Sequence, residues 1–191
     1  MAAIKTASTA LAGILFLIAF VPYIRAITKK ETKPAKASWL IWATLDSITF
    51  AGMLVKHTLN GQVLGAIAGA WTVAILALKY GKPGWSKLDK FCLSGAVLGI
   101  MLWQLSGDAT FGMATSLSVL ILAAFPTFKN AWKNPKEENR LAWTLYWLSC
   151  IFAMIAIPKW TIADAAQPIA FTFIETVMVC ILWIKPRSIK P

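Results

Sequence analysis

Along this chain, apolar runs of about twenty residues alternate with short polar stretches. Seven such runs are visible, over residues 6–27, 38–55, 60–79, 88–105, 109–128, 141–159 and 165–184. Crossing the hydrocarbon core of a bilayer takes roughly 20 apolar residues in a helix, so each run predicts a membrane span. A buried core helix is the alternative for any one run, but seven in a small chain with short loops leave no room for a soluble domain. Lys5 ahead of the first run imitates a signal peptide. The residues after that run lack a small-residue cleavage site, and a retained helix is expected.

Composition agrees. Of 191 residues, 58% are apolar and 14% charged, with a mean hydropathy of +0.65, against about 45–50% and about 25% in soluble domains. This excludes an ordinary soluble globule, a disordered tail and a disulfide scaffold. Cys92, Cys150 and Cys180 all fall within apolar runs and are read as small core residues.

The net charge of +11 changes the picture only once the charges are placed. With the N-terminal side called outside and the runs alternating, Lys5, Lys56 and Lys159 fall outside and the other 16 basic residues fall inside. The positive-inside rule then predicts an external N-terminus and a cytoplasmic C-terminus, in the plasma membrane. The basic residues are topology determinants near anionic lipid, so a bilayer is the expected partner and nucleic acid is not.

The chain also repeats itself. Pro22 and Pro126 lie 104 positions apart, as do Trp39 and Trp143; the same gapless offset pairs Lys29 with Lys133, Lys36 with Arg140, Thr72-Val73 with Thr176-Val177 and Leu78 with Leu182. Each unit reads as three helices, and the fourth helix is a connector that keeps the units in the same orientation. The expected fold is all-α and polytopic, with two parallel three-helix bundles joined by a linker helix: residues 1–80, 81–108 and 109–191. Parallel repeats of this kind build transporters.

A proline near the inner end of the first helix of each unit, a basic loop and a tryptophan-bearing second helix together resemble the SWEET/PQ-loop transporter superfamily. The resemblance covers nearly the whole chain. Its 3+1+3 layout implies alternating access by a small polar solute. The glutamine that comes after the motif proline in the family is Tyr23 and Thr127 here, which marks a divergent member. Nicotinamide-riboside transporters share the architecture, so layout does not carry a substrate. Family sugar sites offer asparagines on the third and seventh helices at mid-depth, where this chain has Trp71 and Glu175. That departure favours a ring-shaped or cationic solute over a sugar.

Several residues could carry function. Pro22 and Pro126, at equivalent positions of the repeat, are candidate hinges, since proline removes a helical hydrogen bond. Trp39, Trp42, Asp46, Thr49 and Met53 share one helix face by their 3-4-3-4 spacing. Trp143, Tyr146, Cys150 and Ala153 are the repeat mates of the first four. Trp42 and Tyr146 are expected to wall a cavity, while Trp39 and Trp143 are partly accounted for by an interfacial aromatic belt. Asp46 and Glu175 fall near the midplane, where a carboxyl is costly and usually faces a cavity or a partner. They are expected to bind substrate hydroxyls or amines, or to carry a coupling proton. Trp71, the mate of Glu175, completes the expected substrate site of Trp42, Asp46, Trp71, Tyr146 and Glu175. Gly61, Gly65 and Gly69 predict close packing of the third helix within its bundle.

Enzyme readings fare worse. The single histidine, His57, sits in a loop, which leaves no metal constellation and no Ser-His-Asp arrangement at membrane depth. No cofactor is expected, and a retinal protein would need a lysine where Glu175 stands. The competing class is a non-transporting membrane binding or assembly protein that keeps the fold.

Overall fold

The computed structural model describes residues 2–82 and 87–185. The described residues form seven α-helices and no named strand: α1 (Ala2–Thr28), α2 (Lys36–Val55), α3 (Gly61–Tyr80), α4 (Lys87–Ser106), α5 (Ala109–Lys133), α6 (Arg140–Ala156) and α7 (Ile162–Ile184). A single 3-10 turn, Pro135–Glu137, lies between α5 and α6. Helix α5 runs past residue 128 because Pro126 lies inside it without ending it, and the chain leaves the helix at Asn134, ahead of Pro135. Helix α6 stops at Ala156, short of the expected 159. Pro158 disfavours helical geometry at the residue before it.

Five helices are long and apolar enough to cross a membrane: α1, α2, α3, α5 and α7. The 17-residue α6 is apolar but shorter, and α4, which begins Lys-Leu-Asp-Lys, is not among the five. Large apolar side chains such as Leu17, Ile75, Leu98, Leu122, Ile155 and Phe173 are exposed around the molecule. So many exposed large apolar side chains on long apolar helices have lipid as their natural solvent, and the chain is a multi-pass membrane protein. Trp132, Trp160 and Trp183 are exposed near helix ends, where amphipathic rings suit a membrane interface.

The helix adjacencies have a pseudo-two-fold symmetry. Helix α1 packs on α3 and α6, α2 packs on α3 and α5, and α7 packs on α5 and α6. Exchanging α1 with α5, α2 with α6 and α3 with α7 maps this set onto itself. Helix α4 stands outside the exchange, packed on α5 with a lesser contact to α2.

Close approach of α1 and α3 depends on glycine. A Cβ at Gly61 would lie 2.5 Å from the carbonyl oxygen of Thr9, one at Gly13 would lie 2.8 Å from the Gly61 oxygen, and one at Gly69 would fall inside the Phe20 ring. The small-residue stripe therefore packs α3 on α1, as its spacing predicts. At Gly95 an added Cβ would meet only Val119, at 3.6 Å. We expect Gly61→Ala to lose about 1–3 kcal/mol to overpacking. Gly95→Ala should be neutral, or stabilised by up to about 1 kcal/mol of helix propensity. Thermal unfolding in detergent measures both, and equal midpoints would refute the seam.

Of the cysteines, Cys150 is buried, whereas Cys180 is exposed. The reading of Cys180 as a core residue is thus corrected: its position on α7 turns it away from the other helices. The Cys92 side chain and residues Arg187 and Lys190 lie outside the described set.

Candidate functional site

Helices α1, α2, α3, α5, α6 and α7 enclose a central chamber. Its walls are Phe16 and Phe20 from α1, Trp39, Trp42 and Asp46 from α2, Ala66 and Ala70 from α3, Leu120 from α5, Trp143 and Tyr146 from α6, and Phe171, Ile174 and Glu175 from α7. Four wall pairs obey the 104-residue offset: Phe16 with Leu120, Trp39 with Trp143, Trp42 with Tyr146, and Ala70 with Ile174. The chamber thus lies between the two repeat units. Its volume is about 40 Å³, room for a few waters at about 10–15 Å³ each and well below a ligand pocket of roughly 300–1,000 Å³.

The rings are in mutual contact. Phe16 lies 4.8 Å and Phe20 5.0 Å from Tyr146, centroid to centroid, and Trp39 lies 5.1 Å from Trp42. Mostly tilted or edge-on geometry is what aromatic quadrupoles prefer. Trp42 is fixed by donating its indole N–H to the Leu120 carbonyl at 3.1 Å.

Asp46 and Glu175 are 4% and 6% exposed. Oδ1 of Asp46, Oε2 of Glu175, the Tyr146 hydroxyl and the Trp39 indole N–H are buried without a hydrogen-bond partner. Leaving a buried polar group unpaired costs about 1–3 kcal/mol, and four among the walls of one chamber mark it as a place that something else completes. Among the described residues, no lysine or arginine lines it.

Four of the five residues expected to form the site, Trp42, Asp46, Tyr146 and Glu175, are brought together here. Trp71 is not. It is 40% exposed and donates to Ser47 Oγ at 3.0 Å on the outer surface. Helix α3 turns Ala66 and Ala70 to the chamber, and Trp71 is displaced by one residue, or about 100° of helix. The register is shared at Ala70 and Ile174, so Glu175 and Trp71, although repeat mates, sit on different sides of that line. Trp39 and Trp143 are also corrected. Both are buried chamber walls and form no part of an interfacial belt.

At the end where α1 begins, a buried polar layer covers the chamber. Asn60 Nδ2 donates to Gln167 Oε1 at 2.7 Å, Gln167 Nε2 to Gln62 Oε1 at 2.9 Å, and Gln62 Nε2 to Ser149 Oγ at 2.9 Å. Ser149 Oγ in turn donates to the Ala12 carbonyl at 2.8 Å. Gln62 precedes the chamber residue Ala66 by one turn, and Gln167 precedes Phe171 by one turn, so the layer is adjacent to the chamber. Beyond it opens a recess of about 310 Å³ bordered by Lys5, His57, Asn60 and Asp164. Gln62→Leu would orphan the Gln167 amide and is expected to cost about 1–3 kcal/mol, read as a lower unfolding midpoint; an unchanged midpoint would mean that the chain of amides adds nothing to stability.

The opposite end is closed by Glu138. Its Oε2 accepts from Trp143 Nε1 at 2.9 Å and from the Tyr23 hydroxyl at 3.2 Å, next to a recess of about 430 Å³ that also touches Glu31, Lys136 and Arg140. Burial pushes the Glu138 carboxyl up to about 7, against the opposing pull of the Trp143 and Tyr23 hydrogen bonds and the Lys82 charge. Lys82 pairs with Glu137 at 2.6 Å and clasps this loop from the far end of α3.

The helix caps tie the two repeats across the chamber. Asn60 caps α3 through Oδ1, leaving Nδ2 for Gln167 of α7. Asn139 caps α6 through Oδ1 and donates its Nδ2 to the Pro22 carbonyl at 3.3 Å. Pro22 and Pro126 both lie inside continuous helices, and α7 holds a third, Pro168, beside Gln167.

Sequence reasoning missed Phe16, Phe20 and Phe171; the signal was only the four-residue spacing of Phe16 and Phe20 and the Phe16–Leu120 offset. It also missed Gln62 and Gln167, two amides within apolar runs and so candidates by rarity alone. Nothing local distinguished Glu138 from a solvated loop acid. Comparison with family models, curated proteins and solved structures finds no match for this chain.

Proposed function

We propose that this protein is a transporter that moves a small polar solute, a sugar or a vitamin- or nucleoside-like ring compound, through the central chamber by alternating access, as a divergent member of the SWEET/PQ-loop superfamily. The reading places all seven helices across the plasma membrane as a 3+1+3 bundle, with the N-terminus outside and the C-terminus cytoplasmic. It assigns the chain no enzymatic step and no nucleic-acid partner. The observation that carries it is the pair of unpartnered carboxyls in a chamber between two repeats, covered at one end by the Asn60–Gln167–Gln62–Ser149 layer and at the other by the Glu138–Tyr23–Trp143 contact.

In this mechanism the two closures break in turn. Each is built from residues of both repeats, so rocking one repeat against the other separates one closure while compressing the other. Pro22 and Pro126 supply the bending. Each lacks the N–H that would reach the carbonyl four residues before it, at Ile18 and Leu122. Asp46, Glu175 and Tyr146 hold the solute's polar groups, and Trp42 stacks on its ring. Transport is facilitated or proton-coupled, with Glu175 carrying the proton in the second case.

Proteoliposomes offered sugars, ribosides, vitamins and amino acids test this. Saturable flux for one class is the expected result. No flux, together with no ligand that raises the unfolding temperature, would refute transport. A ligand that stabilises the protein yet never crosses would favour a binding or assembly protein that keeps the fold.

A further inference from the structure

We propose that the chamber's solute is a small organic cation, held by Asp46 and Glu175 against a cage of aromatic rings; this deepens the transport reading and rests on it.

The chamber is chemically one-sided. Two carboxyls from different repeats point unpaired into it, and among the described residues no basic side chain lines it. A cationic solute would supply the counter-charge that these walls lack. Seven of the thirteen wall residues are aromatic, three of them tryptophans. Ring faces attract cations through their quadrupole, tryptophan most strongly, and the attraction grows where water is excluded. A neutral polyol would find one hydroxyl, one indole N–H and two carboxyls to bond, and apolar surface elsewhere.

A bare metal ion fits less well. Hard cations such as Ca²⁺ take about six to eight oxygen ligands. Only Asp46, Glu175 and Tyr146 bring side-chain oxygens to this wall. An ammonium or pyridinium-type nitrogen, bearing carbon substituents, uses both halves of the surface: carboxylate for charge and rings for its apolar shell. With about 40 Å³ free, the solute must be admitted by the loosening of one closure.

The probes are choline and its neutral isostere 3,3-dimethylbutan-1-ol, with glucose as a polyol control. Binding is read on purified full-length protein by tryptophan fluorescence and thermal unfolding, and flux in proteoliposomes. Choline should bind at least ten-fold more tightly than the isostere, and Asp46→Asn and Glu175→Gln should each erase most of that preference while unfolding cooperatively. The isostere binding as well as choline would overturn the cation assignment, as would a preference that survives both substitutions. Glucose crossing while choline neither binds nor crosses would also overturn it, with the transport reading intact. Choline binding with the charge preference but crossing for no variant would leave the cation site standing and remove transport.

Discussion

Glu175→Gln is expected to cut solute flux about 10- to 100-fold and to flatten the dependence of the remaining rate on pH. Glutamine keeps the volume and one acceptor oxygen of the glutamate. What it removes is the charge and the exchangeable proton. A hydrogen bond to a charged group is worth about 1.5–3 kcal/mol, and about 1.4 kcal/mol is ten-fold in affinity or rate. Because Glu175 Oε2 has no protein partner, the substitution deprives no protein donor of its acceptor; the new amide N–H groups face the chamber, and the unfolding midpoint should hold within a few degrees. Asp46→Asn should act in the same direction. Trp71→Phe serves as the contrast: it loses only a surface hydrogen bond to Ser47 and should transport normally. Unchanged flux and pH dependence for Glu175→Gln would remove this residue from the mechanism.

The second large effect concerns Glu138. Its carboxyl is raised from an ordinary 4.5 to about 7 in the closed structure, so the folded protein binds this proton more tightly than the unfolded chain does. Stability from this group is therefore complete below about pH 4.5 and is lost as pH rises through about 7. The shift corresponds to something on the order of 3 kcal/mol. Unfolding midpoints in detergent from about pH 5 to 8 should fall for the parent protein and fall less for Glu138→Gln, which keeps an acceptor for Trp143 and Tyr23 without the charge. Glu138→Ala should be destabilised across the range, since the indole N–H and the phenol lose their buried acceptor at about 1–3 kcal/mol each. The same pH slope in Glu138→Gln as in the parent would place the titration elsewhere.

Much of the helical layout was legible because a bilayer-length apolar run and a breaker are local signals. Helices α2, α3, α4, α6 and α7 lie within three residues of expectation at each end. The C-terminal differences in α5, of five residues, and in α6, of three, both turn on proline. Pro126 is carried inside a helix, where seven helix-compatible residues extend the run to Lys133. Pro158 lies in a solvated loop, and nothing downstream of it rebuilds the turn. The 3-4-3-4 face of α2 was readable too, and all five of its residues are buried.

The chamber itself was only half legible. Trp42, Asp46, Tyr146 and Glu175 announce themselves as polar or aromatic residues at mid-depth, where each has a cost that needs explaining. Trp71 carried the same signal and lies on the surface. A helix moves from one residue to the next by about 100°, but the sequence does not say how far one helix is rotated against its repeat mate. The rotation that keeps Ala70 and Ile174 in register puts Glu175 inside and Trp71 out.

Local pattern was enough to establish an all-helical membrane protein, the approximate bounds of its helices, and two stretches that echo each other. These follow from hydropathy and periodicity, which act within about twenty residues. It took the packed fold to bring Gln62, Gln167 and Ser149 into one layer, to carry a loop glutamate to Tyr23 and Trp143, and to set two carboxyls from separate repeats on one wall. Gln62 and Gln167 are 105 positions apart in the chain, Tyr23 and Glu138 115, and Gln62 and Ser149 87. They depend on helix rotation and depth, which are set by packing (glycine against backbone, ring against ring) rather than by local propensity.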